Sequence, residues 1–296
     1  MNNSQIRYEI FLKVAELGNI TLAADTLNYT QSGVSHAVAA MEREAGCTLF
    51  HRSKTGVTLT ENGKTLLPLV QDLINRQHSL DQAMDALSNR VAGVLRVGSF
   101  TSFTAIWMAR LIADFTRQFP DVKIELTNGV YRDIENSIAE GRLDCGFLSA
   151  IDDDPLDFTP LFEDPMLVSM APNHELAKKG SLPLRELKDH PLVSQFQGSD
   201  HDMRQVYKNA KIRPKAKYIL DDDISVMGMA AQGEGIALMP EMMLATASFD
   251  LAAVPLDPPQ HRTVGIATLP IKETTLLVRT FVDYCKSYDF NIASSR

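Results

Sequence analysis

Apolar residues recur at helical spacing from the start of the chain. Ile6, Ile10, Phe11, Val14 and Leu17 share one face and stop at Gly18, which predicts an amphipathic helix with a glycine end. Thr21 then serves as N-cap for a short helix through Leu27, Asn28-Tyr29 forms a turn, and Thr30 caps a third helix from about Gln31 to Ala45. Two short helices across a tight polar turn make a helix-turn-helix pattern. The run L-F-H-R-S-K-T-G-V-T-L-T that follows has two β-prone stretches around Ser53 to Gly56, and reads as a hairpin wing.

From Thr60, a good N-cap, a long helix is expected to about Asn89, bent or locally strained at Pro68. Leu66, Leu73, Leu80 and Leu87 fall at heptad spacing, with Val70, Gln77 and Met84 four residues after the first three, the layout of an a/d seam with one polar position. Such a stripe either packs on its own domain or pairs two chains. Pairing is favoured here because the segment lies between two domains and has no obvious sheet to cover. After Gly93 the pattern becomes strand, helix, strand, helix, strand to Cys145 and its neighbours. A second such series runs through L-V-S-Q-F, A-K-Y-I-L and I-A-L-M, and T-V-G-I-A-T-L with a helix over 274–288 returns to the first lobe. Alternation of this kind implies two α/β lobes on a mainly parallel sheet. The expected divisions are 1–60, 61–90 and 91–296, the last as one lobe of 91–163 with 265–296 and another of 164–264.

Composition narrows the class. The chain has 296 residues with 45% hydrophobic and 22% charged, enough apolar material for more than one core. No run of about 18 uncharged apolar residues is present, so no membrane helix is expected, and the N-terminus lacks the order of a secretory signal; the expectation is a cytoplasmic protein. Cys47, Cys145 and Cys285 are too few and too far apart for a disulfide framework, and no close histidine pair suggests a metal; neither metal nor cofactor is expected. The net charge of -8 is unevenly spread. Residues 1–64 carry six basic and six acidic groups, whereas 65–296 carry 23 and 31. A neutral head joined to an acidic body suggests separate tasks.

The ordered set A-A-D-T-L-N, T-Q-S-G-V-S-H-A-V-A-A-M-E (Thr30 to Glu42), L-F-H-R (49 to 52) and L-T-E-N-G (59 to 63) resembles the DNA-binding half of LysR-type transcriptional regulators, and the likeness continues through the linker helix and both lobes. It implies a winged helix-turn-helix domain, a dimerising linker helix and a two-lobed effector domain with the fold of type 2 periplasmic binding proteins. It also implies double-stranded promoter DNA and a small-molecule effector as partners and assembly as a homodimer or homotetramer, with RNA polymerase left open as a further partner. The helix itself agrees. Gln31, Ser35 and Ala39 are spaced by four, as are Ser32 and His36, on the face opposite Val34, Val38 and Met41. Its polar start suits a major groove. Gln31 can pair with adenine, Thr30, Ser32, Ser35 and His36 flank it, and Arg52 and Lys54 supply cationic contacts from the wing.

An effector site is expected where strands end and helices begin. Ser99, Phe100, Thr101 and Ser102 open a helix after the first strand, Thr127 and Asn128 end the second strand, Ser149 ends the third, and Gln197, Gly198 and Ser199 open a helix in the other lobe. Taken singly, each hydroxyl is better explained by helix capping; their coincidence at strand ends raises the group as a binding site. Asp152 to Asp154 and Asp221 to Asp223 read as solvated loops and caps; if they border the cleft they disfavour an anionic effector, and no arginine or lysine cluster is evident in the cleft loops. Cys145 reads as a buried core thiol rather than a redox sensor. No G-x-S-x-G, P-loop or H-E-x-x-H is present. The rival readings, a cytosolic solute-binding module or an α/β enzyme with an accessory helical domain, leave the run from Thr30 to Gly63 unexplained.

Overall fold

A computed structural model of the chain describes residues 3–53, 56–87, 90–150, 156–195 and 201–291. They form two compact units, one of residues 1–88 with the short stretch 140–142, the other of 89–139 and 143–296. In the first unit α1 (Asn3–Leu17), α2 (Ile20–Leu27) and α3 (Gln31–Ala45) precede the hairpin of β1 (Phe50–Ser53) and β2 (Gly56–Leu59), and α4 spans Glu61–Leu87. Phe11, Val14, Ala23, Val34, Val38 and Leu49 sit at the centre of one buried cluster, so the three helices and the wing share a core.

Local chemistry sets the corners. Asn19, not Thr21, caps α2: its extended backbone turns its side-chain oxygen to accept from the Leu22 N–H at 3.0 Å, and the helix begins one residue before Thr21. Asn28 ends α2 in the left-handed conformation, and Thr30 caps α3 by accepting from the Gly33 N–H at 3.1 Å. Glu42 on α3 accepts from the N–H groups of Leu49 and Phe50, which ties the wing to the third helix. Gly63 explains its motif: a Cβ there would lie 2.3 Å from the Leu49 carbonyl oxygen. Thr60 caps α4 through the Gly63 N–H, and α4 continues through Pro68 as one helix.

The second unit begins with β3 (Gly93–Ser99), α5 (Thr101–Phe103), a π-helical turn over Thr104–Met108, α6 (Ala109–Gln118), β4 (Val122–Asn128), α7 (Tyr131–Ala139) and β5 (Cys145–Ser149). It continues with β6 (Asp157–Met170), β7 (Leu182–Pro183), β8 (Leu192–Gln195), α8 (His201–Ala210), β9 (Ala216–Leu220), α9 (Asp223–Ala231), β10 (Ala237–Pro240), α10 (Glu241–Leu244), β11 (Ala252–Thr268) and α11 (Leu276–Ser287). The expected parallel pairs form between β3 and each of β4 and β5, and between β8 and β9. The mainly parallel sheet needs correction, however. The main sheet runs β10-β6-β11-β5-β3-β4, and its middle is the antiparallel pair of long strands β6 and β11, which continue from one lobe into the other. Pro160 and Pro165 in β6, and Pro255, Pro258 and Pro259 in β11, lack N–H donors and mask both strands in the sequence. One lobe packs Trp107, Phe115, Phe147 and Phe281 around β3 and β5; the other packs Val168, Leu187, Val206 and Leu238.

Candidate DNA-reading and effector sites

The first turn of α3 is polar and open. Gln31, Ser32 and His36 are exposed and Ser35 is half-buried, while Val34, Val38 and Met41 are buried on the opposite face. The Gln31 amide donates to the Ser35 hydroxyl at 3.3 Å, and the Thr30 and Ser32 hydroxyls lie 3.2 Å apart. Arg52 is exposed on β1; Lys54 lies outside the described residues.

The heptad row divides along α4. Leu66 and Val70 pack into the first unit's own core, a correction to the seam: the helix start must cover Phe11 and its neighbours, which draws these two positions inward. Gln77 is half-buried and donates to Asp81. Leu73, Leu80, Met84 and Leu87 are exposed, by 50%, 54%, 53% and 89%.

In the second unit a cavity of about 450 Å³ is lined by Phe100, Thr101 and Ser102 from the β3-α5 junction, by Gly129, Val130 and Tyr131, by Asp202 and Met203 on α8, by Asp221, Asp222 and Asp223 at the start of α9, and by Met166, Met239 and Arg262. Phe100, Thr101 and Ser102 therefore stand where the sequence places them. Four other positions do not line it. Ser99 is fully buried and accepts from the Thr104 hydroxyl at 2.9 Å, because the π turn brings Thr104 back over the strand end. Thr127 and Asn128 are exposed at the sheet edge, where Asn128 donates to Thr104, and Gly129 to Tyr131 take their place on the wall. Ser149 is buried at the end of β5 and is not on the wall. Gln197, Gly198 and Ser199, like Asp152 to Asp154, lie outside the described residues.

One arginine, on a strand rather than in a cleft loop, stands on this wall and is not among the residues that the sequence reading names. Arg262 and Asp164 are cross-strand partners on β11 and β6, where the two strands pass between the lobes. Their side chains are 6% and 0% exposed, and Arg262 Nη2 lies 2.6 Å from Asp164. Arg262 also donates to the Tyr131 hydroxyl at 2.9 Å, to Asp202 at 3.1 Å and to the Ser102 hydroxyl at 3.2 Å, while Tyr131 donates to Asp202 at 3.0 Å. One guanidinium thus ties α5 and α7 of one lobe to α8 of the other. Burial works against its charge, but Tyr131, Asp202 and Asp164 outweigh it and hold the group protonated. Burial pushes the Asp164 carboxyl up in spite of Arg262 and the Met242 N–H that donates to it. Burial likewise pushes Asp223 up to about 6. Cys145 and Cys285 are buried, and burial raises both thiols, the opposite of a sensing thiolate.

Residues 7–64 match the model of the bacterial regulatory helix-turn-helix protein, lysR family, and residues 88–289 match the LysR substrate binding domain. The chain belongs to the LysR family. As a LysR-type transcriptional regulator it binds promoter DNA through its helix-turn-helix and a small-molecule effector through its second domain, and it is not an enzyme. The HTH-type regulator YvbU of Bacillus subtilis is 26% identical over 281 residues, covering 94% of this chain and 96% of that one. In fold, a full-length OxyR variant from Pseudomonas aeruginosa is similar with a TM-score of 0.71 at 22% identity, covering 100% and 97% of the two chains. Full-length CbnR complexed with its target DNA gives 0.67 at 19% identity, covering 97% and 99%. Among the described residues no helix is long and apolar enough to cross a membrane.

Proposed function

We propose that this LysR-type regulator acts in the cytoplasm as a homo-oligomer. It contacts DNA through Thr30, Gln31, Ser32, Ser35 and His36, with Gln31 reading a base, the two serines suited to phosphate, and Arg52 and Lys54 supplying cationic contacts from the wing. Its domains are 1–60, 61–90 and 91–296, the last as lobes of 91–163 with 265–296 and of 164–264. The exposed row Leu73, Leu80, Met84 and Leu87 pairs copies of the chain. The effector occupies the cavity beside Arg262 and shifts the balance between lobe arrangements, and with it promoter contact.

The observation that carries the effector reading is the Arg262 cluster on the cavity wall. A ligand that enters presses on the same side chains that join α5, α7 and α8. Any difference in its affinity between two settings of those elements becomes a change in their populations. Ala105 is exposed on that wall. Ala105→Trp fills the cavity, and is expected to abolish the thermal stabilisation given by compounds found in a metabolite screen while the protein still shifts its own upstream DNA. Retention of every such ligand by the variant would place the effector elsewhere.

A further inference from the structure

The cavity is rich in acid and its arginine is already spent. Arg262 is the one basic side chain on the wall among the described residues. A guanidinium has five N–H donors. It makes four hydrogen bonds here, from Nε to Asp164, from Nη1 to Tyr131 and Asp202, and from Nη2 to Ser102, and Nη2 is also ion-paired with Asp164 at 2.6 Å. An incoming carboxylate or phosphate has to compete with these partners for it and meets three further carboxylates, Asp221, Asp222 and Asp223. Asp222 is occupied as the cap of α9, accepting from the N–H and hydroxyl of Ser225 at 2.8 and 2.7 Å. Asp223 is different. It is half-buried on the wall and makes no side-chain hydrogen bond or ion pair with any described residue.

A desolvated carboxylate without a partner is costly to keep charged, which is why Asp223 holds its proton up to about pH 6. A cation placed against it removes that cost and gains a charge-assisted hydrogen bond. Much of the remaining wall is apolar, with Phe100, Met166, Leu238, Met239 and Met243. Among the described residues no three His, Cys, Asp or Glu side chains converge on a point where a metal ion could sit. We propose that the cavity selects a small organic cation, an ammonium, amidinium or guanidinium compound, whose charge pairs with Asp223 and whose hydrocarbon body lies against Phe100 and the methionines. This assignment rests on the reading of the cavity as the effector site.

Shape-matched probes of different charge test it on the full chain: hexylamine, hexanol and hexanoate, with phenethylamine, phenethyl alcohol and phenylacetate as an aromatic set. Met166, Met203, Met239 and Met243 line the cavity, so their 13C-methyl signals report binding at this place. At pH 7.5 each amine is expected to bind about tenfold or more tighter than its alcohol, with the carboxylate weakest. Asp223→Asn should bring amine and alcohol within about threefold of each other, and should melt at or above the wild-type temperature, since an unpaired half-buried charge has gone. Alcohols or carboxylates that bind as tightly as the amines would overturn the charge assignment while leaving the cavity as the ligand site. A lower melting temperature for Asp223→Asn would mean that the fold already uses this carboxylate, and would also overturn the proposal. If none of the six probes moves any of the four methyl signals at millimolar concentration, both this inference and the reading beneath it fall.

Discussion

At the scale of single residues, Asp164 behind Arg262 and Asp223 on the cavity wall differ in what charge does to them. Asp164 is fully buried opposite Arg262, so removing the arginine strands it. Arg262→Met is expected to cost the second unit about 3–5 kcal/mol at neutral pH, and Arg262→Met with Asp164→Leu to recover much of this, as urea unfolding would report. A double variant as unstable as the single one would show that the cost comes from Tyr131 and Asp202 instead. Asp223 gives a pH signature. Its folded value of about 6 lies above the usual 3.8, so the fold prefers the protonated form. The stability linked to it is complete below about pH 4 and is lost as the pH rises through 6, by an amount on the order of 1–3 kcal/mol. The charged groups that bear on it are Arg262, Asp222 and Asp202, of which the arginine favours ionisation and the aspartates oppose it. Unfolding curves between pH 4 and 8 should therefore flatten in Asp223→Asn; an unchanged slope would assign the pH dependence to another group.

At the scale of elements, recognition in the proposed reading divides between α3 on the bases and the wing on the phosphates. Gln31→Ala should weaken binding to a cognate site by about 1–3 kcal/mol and blur preference at one base pair, because the amide is on the exposed first turn. Arg52→Ala should weaken all sequences alike and reduce the salt dependence by about one ion. Competition binding at several salt concentrations separates the two effects, and intact specificity in Gln31→Ala would remove it from the reading face. This region was legible in the chain because its determinants are local. Asn28, Thr30, Gly18 and Gly63 act on backbone within a few residues or across one short hairpin, so spacing alone carries them. The cavity was legible only at Phe100, Thr101 and Ser102, where a strand meets a helix. Arg262 and Asp202 are sixty residues apart and meet through β11, a strand whose prolines hide its length. Asp223, read as one of a run of caps, differs from Asp222 only in which way the start of α9 turns it. No periodicity marks that difference.

At the scale of the whole molecule, the neutral head limits what one copy can do on DNA. With six basic groups offset by six acidic ones in residues 1–64, a single head has little electrostatic attraction to spare for phosphates. Two heads held together make the second contact intramolecular and gain affinity through effective concentration, by about a hundredfold or more when both half-sites are in reach. The exposed stretch of α4 is where we propose that such a link forms, since Leu66 and Val70 are already used inside the protomer while Leu73 and Leu80 are half open. Leu73→Asp with Leu80→Asp places two charges in that contact, and unpaired buried charge is costly enough to disperse it. Light scattering should then report a smaller species, and binding to a two-half-site operator should fall to the level of an isolated half-site. Affinity for that isolated half-site should be unchanged, because α3 and its core are untouched. A variant that stays fully oligomeric would move the interface off this face of α4, and one that disperses yet still binds the full operator as tightly as wild type would mean that the heads do not act as a pair.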